Sequence, residues 1–249
     1  MSNETLVMTA TFRPAIDTPG LVIADERARA LQYLCALVSW ARPVHVRRIV
    51  FGENSNTSFD FSPVVQYLQA AGKEVEIHVF DGNKGVTRFG KGYGEGEILE
   101  YLHQHSRLLH AAPAFYKVTG RLFVSNFDAV SAATPSLDAF QRKVKHPKDS
   151  PAQPWKVVTT FFKCSLALFE RTLVHAYTRV DDRHGLFLEH VYYDQLRDVD
   201  TSSFSIRPAL VGQQASTGRV YGSYDDDIVQ IAQSFVTGTA DPVRPQKLA

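Results

Sequence analysis

The sequence predicts an α/β fold with a mostly parallel central sheet flanked by helices. Three strand-like segments, 5–12, 48–51 and 75–80, alternate with two helix-like segments, and this order is typical of βαβ units. Each strand is followed by a polar or glycine-containing loop. Because ligands of open α/β sheets bind beyond the carboxyl ends of the strands, we expect a functional site among these loops.

Capping residues define the two helices between these strands. Asp25 is the expected N-cap of the first helix, because apolar residues recur at helical spacing directly after it. Ser62 and Pro63 form a typical helix start, and Gly72 stands where a left-handed C-terminal residue belongs. The second helix is therefore expected over 63–71.

A glycine-rich stretch between Gly82 and Gly96 follows the third strand, with Lys84, Arg88 and Lys91 interleaved. It predicts a loop whose backbone can approach a ligand closely before a helix begins. The stretch matches neither GxxxxGK[ST] nor GxGxxG, so neither phosphate-binding fingerprint supports this interpretation. A mobile surface loop is an equally good interpretation.

The segment 115–128, FYKVTGRLFVSNFD, predicts a central strand that carries two cations around a glycine. Gly120 indicates a bulge or a close backbone approach to a bound group. Lys117 and Arg121 flank this glycine, and burying both would be costly without an anionic partner. A phosphate is one such partner, and a structural ion pair with a neighbouring acid is the alternative.

The remaining chain gives weaker predictions. The polar segment 131–154, with Lys143, Lys145 and Lys148, predicts a flexible excursion or a lid. Ser165 is the expected cap of an amphipathic helix. The other predicted elements are a strand at 155–163, a helix at 186–196, two short strands within 207–223 and a last helix capped by 225–227.

Composition narrows the function classes. The 249 residues suffice for one large α/β domain or two small ones, and 27 basic against 26 acidic side chains give no general attraction to nucleic acid. The two cysteines have no zinc-type spacing and predict a reducing compartment. Neither a signal peptide nor a transmembrane segment is recognisable, so we expect a cytoplasmic protein, with peripheral membrane association left open.

The motifs GKGYGEGEILEYL, KVTGRLFVSNFD, TTFFKCSLALF and GLFLEHVYYDQL together resemble the small bacterial glycosyltransferases of capsule, O-antigen and lipopolysaccharide clusters. The resemblance covers about 5–196 and includes a Lys-x-[Thr/Ser]-Gly-Arg pattern. It implies a GT-A-like, Rossmann-like single domain over 1–249, with a donor half at about 1–130 and an acceptor or catalytic half at about 155–236. It also implies a nucleotide-sugar donor and a saccharide or lipid-linked saccharide acceptor.

Carried over by position, the resemblance places Asp128 near the usual Asp-x-Asp donor motif and Glu189 near the catalytic carboxylate. SNFDAV holds one acid instead of two, so no metal or other cofactor is expected, and Lys117 and Arg121 would neutralise the leaving phosphate. The alternative is that Asp128 alone holds Mn²⁺ or Mg²⁺ with a water shell.

The same resemblance and the rule for ligands of α/β sheets give a complete candidate site. Glu189 would act as the base of an inverting transfer, its pKa raised by apolar neighbours, and His190 is the alternative base. The residues expected to bind the donor are Thr9, Thr11, Glu53, Asp81, Lys117, Arg121 and Asp128.

Two other function classes compete with this one. A sugar nucleotidyltransferase shares the sheet but normally has a glycine-rich start such as GxGTR, whereas the first strand here continues as TATFRPAIDTPG. A non-catalytic interaction protein that keeps the fold is the second rival. Only the clustering of Lys117, Arg121 and Glu189 within apolar segments argues against it.

Overall fold

The computed structural model of the protein describes residues 3–15, 18, 21–144, 155–214 and 218–239. Its strands are β1 (Glu4–Ala10), β2 (Val46–Glu53), β3 (Glu74–Val79), β4 (Ala114–Thr119), β5 (Leu122–Val124), β6 (Arg142–Val144), β7 (Trp155–Val157), β8 (Phe161–Ser165), β9 (Leu210–Gln213) and β10 (Val220–Gly222). Its α-helices are α1 (Glu26–Ser39), α2 (Ser62–Ala70), α3 (Val86–Phe89), α4 (Lys91–His105), α5 (Arg107–His110), α6 (Phe127–Ala132), α7 (Leu166–Leu168), α8 (Leu188–Leu196) and α9 (Asp226–Thr237).

The central sheet has five strands in the order β3-β2-β1-β4-β8. The first four are parallel, with β1 between β2 and β4, and only β8 runs antiparallel. Helices cover both faces, so the predicted α/β class with a mostly parallel, helix-flanked sheet is confirmed. A smaller antiparallel sheet, β10-β9-β5, and the β6-β7 ladder complete the strand pairing of the described residues.

The local signals for the first two helices are confirmed except for the cap of α2, because its N-cap is Phe61, without a side-chain hydrogen bond, and not Ser62. The Asp25 carboxylate accepts a hydrogen bond from the Ala28 amide at 2.7 Å and so caps α1. Pro63 occupies the first turn of α2, and Gly72 adopts a positive φ of 80° just beyond its end. Helix α2 itself begins one residue earlier than predicted, at Ser62.

The predicted loop is present only in part: residues 82–85 lie outside helices, whereas the second half of the glycine-rich stretch is already helical. Helix α4 begins at Lys91 and contains Gly92, Gly94 and Gly96. A Cβ at Gly96 would overlap the Tyr177 side chain, so these glycines permit close packing of neighbouring elements. Packing contacts therefore outweigh the poor helix propensity of glycine here.

The predicted long strand over 115–128 is interrupted. β4 ends at Thr119, and the chain turns through Gly120 and Arg121 into β5 of the second sheet. The Gly120 amide donates to the Thr9 carbonyl at 3.0 Å, and a Cβ at Gly120 would lie 2.6 Å from that oxygen. The close approach that the glycine indicated is therefore to strand β1.

The later elements differ in regularity from the prediction. The expected strand at 155–163 is divided into β7 and β8, and the helix after Ser165 passes through a π-helical turn and a 3-10 turn. Ser165 caps α7 as predicted, the two short strands are β9 and β10, and Asp225 is the N-cap of α9. Residues 145–154, the core of the predicted flexible segment, lie outside the described residues.

Two apolar cores lie on opposite faces of the central sheet. One packs α1 and α2 against the sheet and includes Trp40, whose indole donates to the Leu122 carbonyl at 3.2 Å. The other packs α4, α5 and α8 against the opposite face. Within the described ranges, no helix is long and apolar enough to cross a membrane.

Candidate donor and acceptor site

A cavity of about 530 Å³ lies at the edge of the sheet where β1 and β4 end. Because β8 is antiparallel, the residues that precede it reach the same edge. The side chains that give this cavity its chemistry come from segments far apart in the chain: Thr9, Thr11, Arg29, Tyr33, Lys91, Glu95, Arg121, Lys156, Asp182 and Glu189.

Arg29, on α1, forms one wall of the cavity. Its guanidinium donates to the carbonyl oxygens of Thr11 at 2.8 Å and Ile23 at 3.0 Å, and to the Tyr33 hydroxyl at 3.1 Å. All three acceptors are neutral, so they satisfy the hydrogen bonds and leave the charge uncompensated. Among the described residues, Arg29 forms no ion pair.

Arg121 lies beside Arg29, at the turn after β4, and only 4% of its surface is exposed. Its guanidinium carbon lies 5.6 Å from the centre of the Tyr33 ring, and its Nε has no hydrogen-bond partner in the described part of the chain. Burial lowers the pKa of Arg121, and the nearby charge of Arg29 lowers it further. Two buried cations thus meet at one wall of the cavity, where an anionic group would stabilise both.

The opposite wall combines Lys91 at the start of α4 with Asp182 and Glu189. Burial lowers the pKa of Lys91, an effect that the two carboxylates oppose. Burial also raises the pKa of Asp182 to about 6, and the Glu189 charge adds to this shift. Asp182 accepts a long hydrogen bond of 3.4 Å from the Gly92 amide, so it also caps the first turn of α4.

The cavity has an excess of positive charge. Arg29, Lys91, Arg121 and Lys156 line it against the acids Glu95, Asp182 and Glu189. Four cations and three acids thus line the cavity, and one of these acids, Glu95, is also paired with the buried Lys117. The arrangement fits a polyanionic ligand with an acidic group placed across from its phosphates.

Four of the candidate site residues line the cavity: Thr9, Thr11, Arg121 and Glu189. The first two stand at the carboxyl end of β1, as the rule for α/β sheets predicts. Arg121 and Glu189 approach from the turn after β4 and from α8, so the fold brings residues 68 positions apart into one cavity.

Lys117 is placed differently from the sequence-based expectation. Its side chain is fully buried beneath the cavity wall and is absent from the lining. The ammonium forms an ion pair with Glu95 and donates to the Thr159 carbonyl at 2.8 Å. This structural pairing, one of the two readings of the sequence, replaces the expected contact with a phosphate.

Glu53 and Asp81 also lie outside the cavity lining, which corrects their assignment as donor-binding residues. The buried Glu53 carboxylate accepts hydrogen bonds from the amides of Phe12 at 2.9 Å and Thr57 at 3.1 Å, so it connects the loops after β1 and β2. Asp81 is exposed and pairs with Lys84 at 2.7 Å. Both acids stabilise the loops around the site.

Asp128 lies at the opposite edge of the sheet, so its expected position beside the phosphates was wrong. Its carboxylate accepts the amides of Val44 at 3.0 Å and His45 at 2.9 Å, directly before β2 begins. The length of a seven-residue strand, roughly 20 Å, separates that edge from the cavity. Asp128 therefore orients the start of β2 and lies far from the cavity.

His190 is buried behind the cavity and does not line it, which corrects its position as the alternative base. Its Nδ1 accepts the Phe187 amide at 3.3 Å, so the ring closes the first turn of α8. Of the two residues expected to be catalytic, only Glu189 reaches the cavity.

Sequence reasoning missed Arg29, Tyr33 and Asp182. Arg29 and Tyr33 are spaced i and i+4 on α1, and a basic residue on the apolar face of a helix was the available signal. Asp182 carried no such signal, because an acid in the turn DDRHG is normally exposed. Only the packing of that turn against α4 places its carboxylate in the cavity.

The lining fits a diphosphate-bridging Mn²⁺ or Mg²⁺ ion poorly. The turn after β4 presents the Arg121 guanidinium, which would repel a cation. Across the described ranges, no group of three or more His, Cys, Asp or Glu side chains could hold a metal. Arg29 and Arg121 together make one wall of the cavity cationic.

Comparison with known proteins identifies the fold. An active-site mutant of LgtC has a TM-score of 0.51 at 10% identity, over 76% of this chain and 69% of that chain. The apo form of the glycosyltransferase GlyE from Streptococcus pneumoniae TIGR4 has a TM-score of 0.50 at 11% identity, over 82% and 45%. A putative glucose-1-phosphate thymidylyltransferase from Bacillus anthracis has a TM-score of 0.44 at 10% identity, over 94% and 95%.

No protein family description matches the sequence, and no curated protein does either. The chain spans less than half the length of GlyE. At these identities the likeness concerns the fold alone. The chain has a GT-A-like fold, the Rossmann-like architecture of nucleotide-diphosphosugar transferases.

Proposed function

We propose that the chain is a glycosyltransferase that moves a sugar from a nucleoside-diphosphate donor to a saccharide or lipid-linked saccharide acceptor. The observation that carries the proposal is Arg121, a buried guanidinium that lines the cavity without an ion-pair partner among the described residues. A diphosphate offers the planar, bidentate oxygens that a guanidinium binds best.

The donor lies across the ends of β1 and β4, with its phosphates against Arg121 and Arg29. In this arrangement the two guanidiniums neutralise the charge that develops on the leaving diphosphate, and no metal ion is required. Thr9 and Thr11 border the same edge of the sheet and contact the nucleoside. The cost of burying two cations in the free protein is then recovered when the donor binds.

Glu189 serves as the base on the acceptor side of the cavity. It accepts the proton of the acceptor hydroxyl as that oxygen bonds to the anomeric carbon and the bond to the diphosphate oxygen breaks, which inverts the stereocentre. Asp182 and Lys91 line the same wall, so they set the electrostatic environment of Glu189.

The resemblance of the motifs to capsule, O-antigen and lipopolysaccharide enzymes supports a role in bacterial surface polysaccharide synthesis. A sugar nucleotidyltransferase would instead bind a nucleoside triphosphate and release pyrophosphate. Measuring which product leaves, a nucleoside diphosphate or pyrophosphate, therefore separates the two enzymes, and an interaction protein would release neither.

The test separates binding from turnover in two variants. Calorimetry with a panel of nucleoside diphosphates should find one that binds near the micromolar range, about −8 kcal/mol. Arg121→Met keeps the packing of the stem and removes the charge, so it should weaken this binding by at least ~1.5 kcal/mol. Glu189→Gln should leave the binding unchanged and slow release of the diphosphate from the sugar nucleotide by about 10² to 10⁴-fold.

Arg207→Ala is the matched control, because Arg207 is an exposed arginine outside the cavity lining. It should change neither quantity. Unaltered nucleotide affinity in a folded Arg121→Met protein would remove Arg121 from the site. A Glu189→Gln protein that keeps the wild-type rate would show that the base is another group.

A further inference from the structure

Trp155, the first residue of β7, exposes 47% of its surface, although it belongs to a defined strand. Its ring lies parallel to that of Tyr193, with centroids 5.9 Å apart and planes 13° from each other. This is the offset-stacked geometry that aromatic pairs favour. The other tryptophan of the chain, Trp40, is completely buried.

A single exposed aromatic residue is ordinary, but the position of this pair is not. Lys156 follows Trp155 in β7 and lines the cavity. Glu189, which also lines the cavity, precedes Tyr193 by four residues and shares its face of α8. Because β7 packs along α8, the aromatic pair lies about one helical turn, ~5 Å, from Glu189 along α8 and so borders the cavity.

The chemistry of this extension suits a sugar ring. The face of an aromatic ring is negative, and the axial C–H groups on one side of a pyranose are weakly positive, so the two flat surfaces attract each other. Sugar hydroxyls project from the ring edge, where the Glu189 carboxylate offers an acceptor. A membrane surface is the alternative occupant, and the vesicle comparison described below tests it.

We propose that Trp155 and Tyr193 form a stacking platform for a pyranose ring of the acceptor, oriented so that one hydroxyl of the acceptor reaches Glu189. This assignment rests on the proposed function, since it adds the acceptor subsite to the same cavity. It defines the acceptor class as a saccharide with an accessible apolar ring face.

The two tryptophans provide a direct measurement. Methyl glycosides of glucose, galactose and N-acetylglucosamine, and disaccharides of the same sugars, are titrated while tryptophan emission and its quenching by acrylamide are recorded. A sugar on the platform should protect the exposed Trp155 from acrylamide and leave the buried Trp40 unaffected. Affinities for the variants are then measured by saturation-transfer NMR, which does not require Trp155 as a reporter.

Trp155→Ala and Tyr193→Ala should each weaken sugar binding about 10-fold, whereas Trp155→Phe, which keeps an aromatic face, should lose much less. Ile206→Ala, which truncates an exposed apolar residue outside the cavity lining, is the control and should have no effect. Equal sugar affinity in the wild type and Trp155→Ala would overturn the platform, and so would a complete lack of Trp155 protection.

The same samples separate this inference from the proposed function. If nucleoside diphosphates bind but no sugar protects Trp155, the platform is wrong and the donor site remains. If neither a nucleoside diphosphate nor a sugar binds, both proposals fail. Vesicles of phosphatidylglycerol and phosphatidylcholine provide the last comparison, because a blue shift of Trp155 with vesicles alone would identify a membrane contact and refute the saccharide platform.

Discussion

Arg29 and Arg121 illustrate how one cavity wall can hold two cations without an internal counterion. Neutral carbonyl and hydroxyl oxygens satisfy Arg29, and the Tyr33 ring lies within 6 Å of both guanidiniums. Such contacts position a charge but only partly offset its lost hydration. The folded protein thus holds two incompletely solvated cations in place before any ligand binds, and this arrangement is preorganised for an anion.

Asp182 gives a prediction on pH dependence. Its pKa is raised to about 6, so between about pH 4 and pH 6 the folded protein retains a proton that the unfolded chain loses. The free energy of unfolding accordingly falls as pH rises through this window. Asp182→Asn removes the penalty and preserves the acceptor for the Gly92 amide, so at pH 7.5 it should stabilise the protein by about 1 to 2 kcal/mol.

Chemical denaturation of the wild type and Asp182→Asn at pH 4 and pH 7.5 measures this difference. The stabilisation should be small at pH 4 and full at pH 7.5. Asp181→Asn is the neighbouring control, because Asp181 is more exposed and its pKa is lowered by its hydrogen bonds to His184. A gain of equal size at both pH values would contradict the assigned titration of Asp182.

At the scale of elements, helix α4 owes its position to its glycines. Gly92 packs against Leu188 of α8, Gly94 against Val86 of α3, and Gly96 against Tyr177. These close contacts bring the start of α4 to the cavity, where Lys91 and Glu95 are placed. The glycine pattern therefore serves packing of the helix, although in the sequence it resembled a loop.

This packing predicts that a Gly→Ala substitution, which commonly stabilises a helix, destabilises the protein in α4. Gly→Ala inside an exposed helix normally stabilises by about 1 kcal/mol, because alanine has the better helix propensity. Gly96→Ala should instead destabilise by about 1 to 3 kcal/mol, since its Cβ would overlap the Tyr177 side chain. Thermal and urea denaturation would measure the change.

Gly222→Ala is the control for this prediction, because its new Cβ would meet its nearest neighbour at an ordinary 3.6 Å and φ at Gly222 is not positive. Its effect should stay within a few tenths of a kcal/mol. An increase in melting temperature for Gly96→Ala would show that Tyr177 yields easily and that helix propensity decides.

The elements show which features the sequence could predict. Caps and strand–helix alternation located the first three strands and the first two helices, because those signals are local. The segment 115–128 is divided into two strands because Gly120 contacts Thr9 of β1. This contact joins residues far apart in the sequence, so no local pattern predicts it. Tertiary packing likewise made the glycine-containing start of α4 helical, although the sequence predicted only the later part of that helix.

For the whole molecule, the net charge is close to zero, whereas the cavity has one cationic wall formed by Arg29 and Arg121. Arg121 and Glu189 could be predicted because each is a charge within an apolar segment. The same reasoning misplaced Lys117, whose charge is satisfied by Glu95. The rule for α/β sheets misplaced Glu53 and the family resemblance misplaced Asp128, because backbone amides satisfy both carboxylates. Sequence patterns thus identify charges that need partners, and only the fold shows whether the partner is internal.

The charge distribution of the whole molecule leads to the last prediction, which concerns metal ions. If the guanidiniums of Arg29 and Arg121 neutralise the donor diphosphate, stabilisation of the protein by a nucleoside diphosphate should not depend on divalent cations. At a nucleotide concentration 100 times its Kd, binding stabilises the folded state by ~2.7 kcal/mol. For a chain of this size that corresponds to a rise in melting temperature of about 5 to 10 °C.

The melting temperature is measured with nucleotide in EDTA, in Mg²⁺ and in Mn²⁺, for the wild type, Arg121→Met and the control Arg207→Ala. The wild type and the control should show the same rise under all three conditions, whereas Arg121→Met should lose most of it. A rise that disappears in EDTA and returns with Mn²⁺ would instead assign the phosphates to a metal ion. In that case Asp182 and Glu189, the two acids on the wall opposite Arg121, would be the first ligands to test.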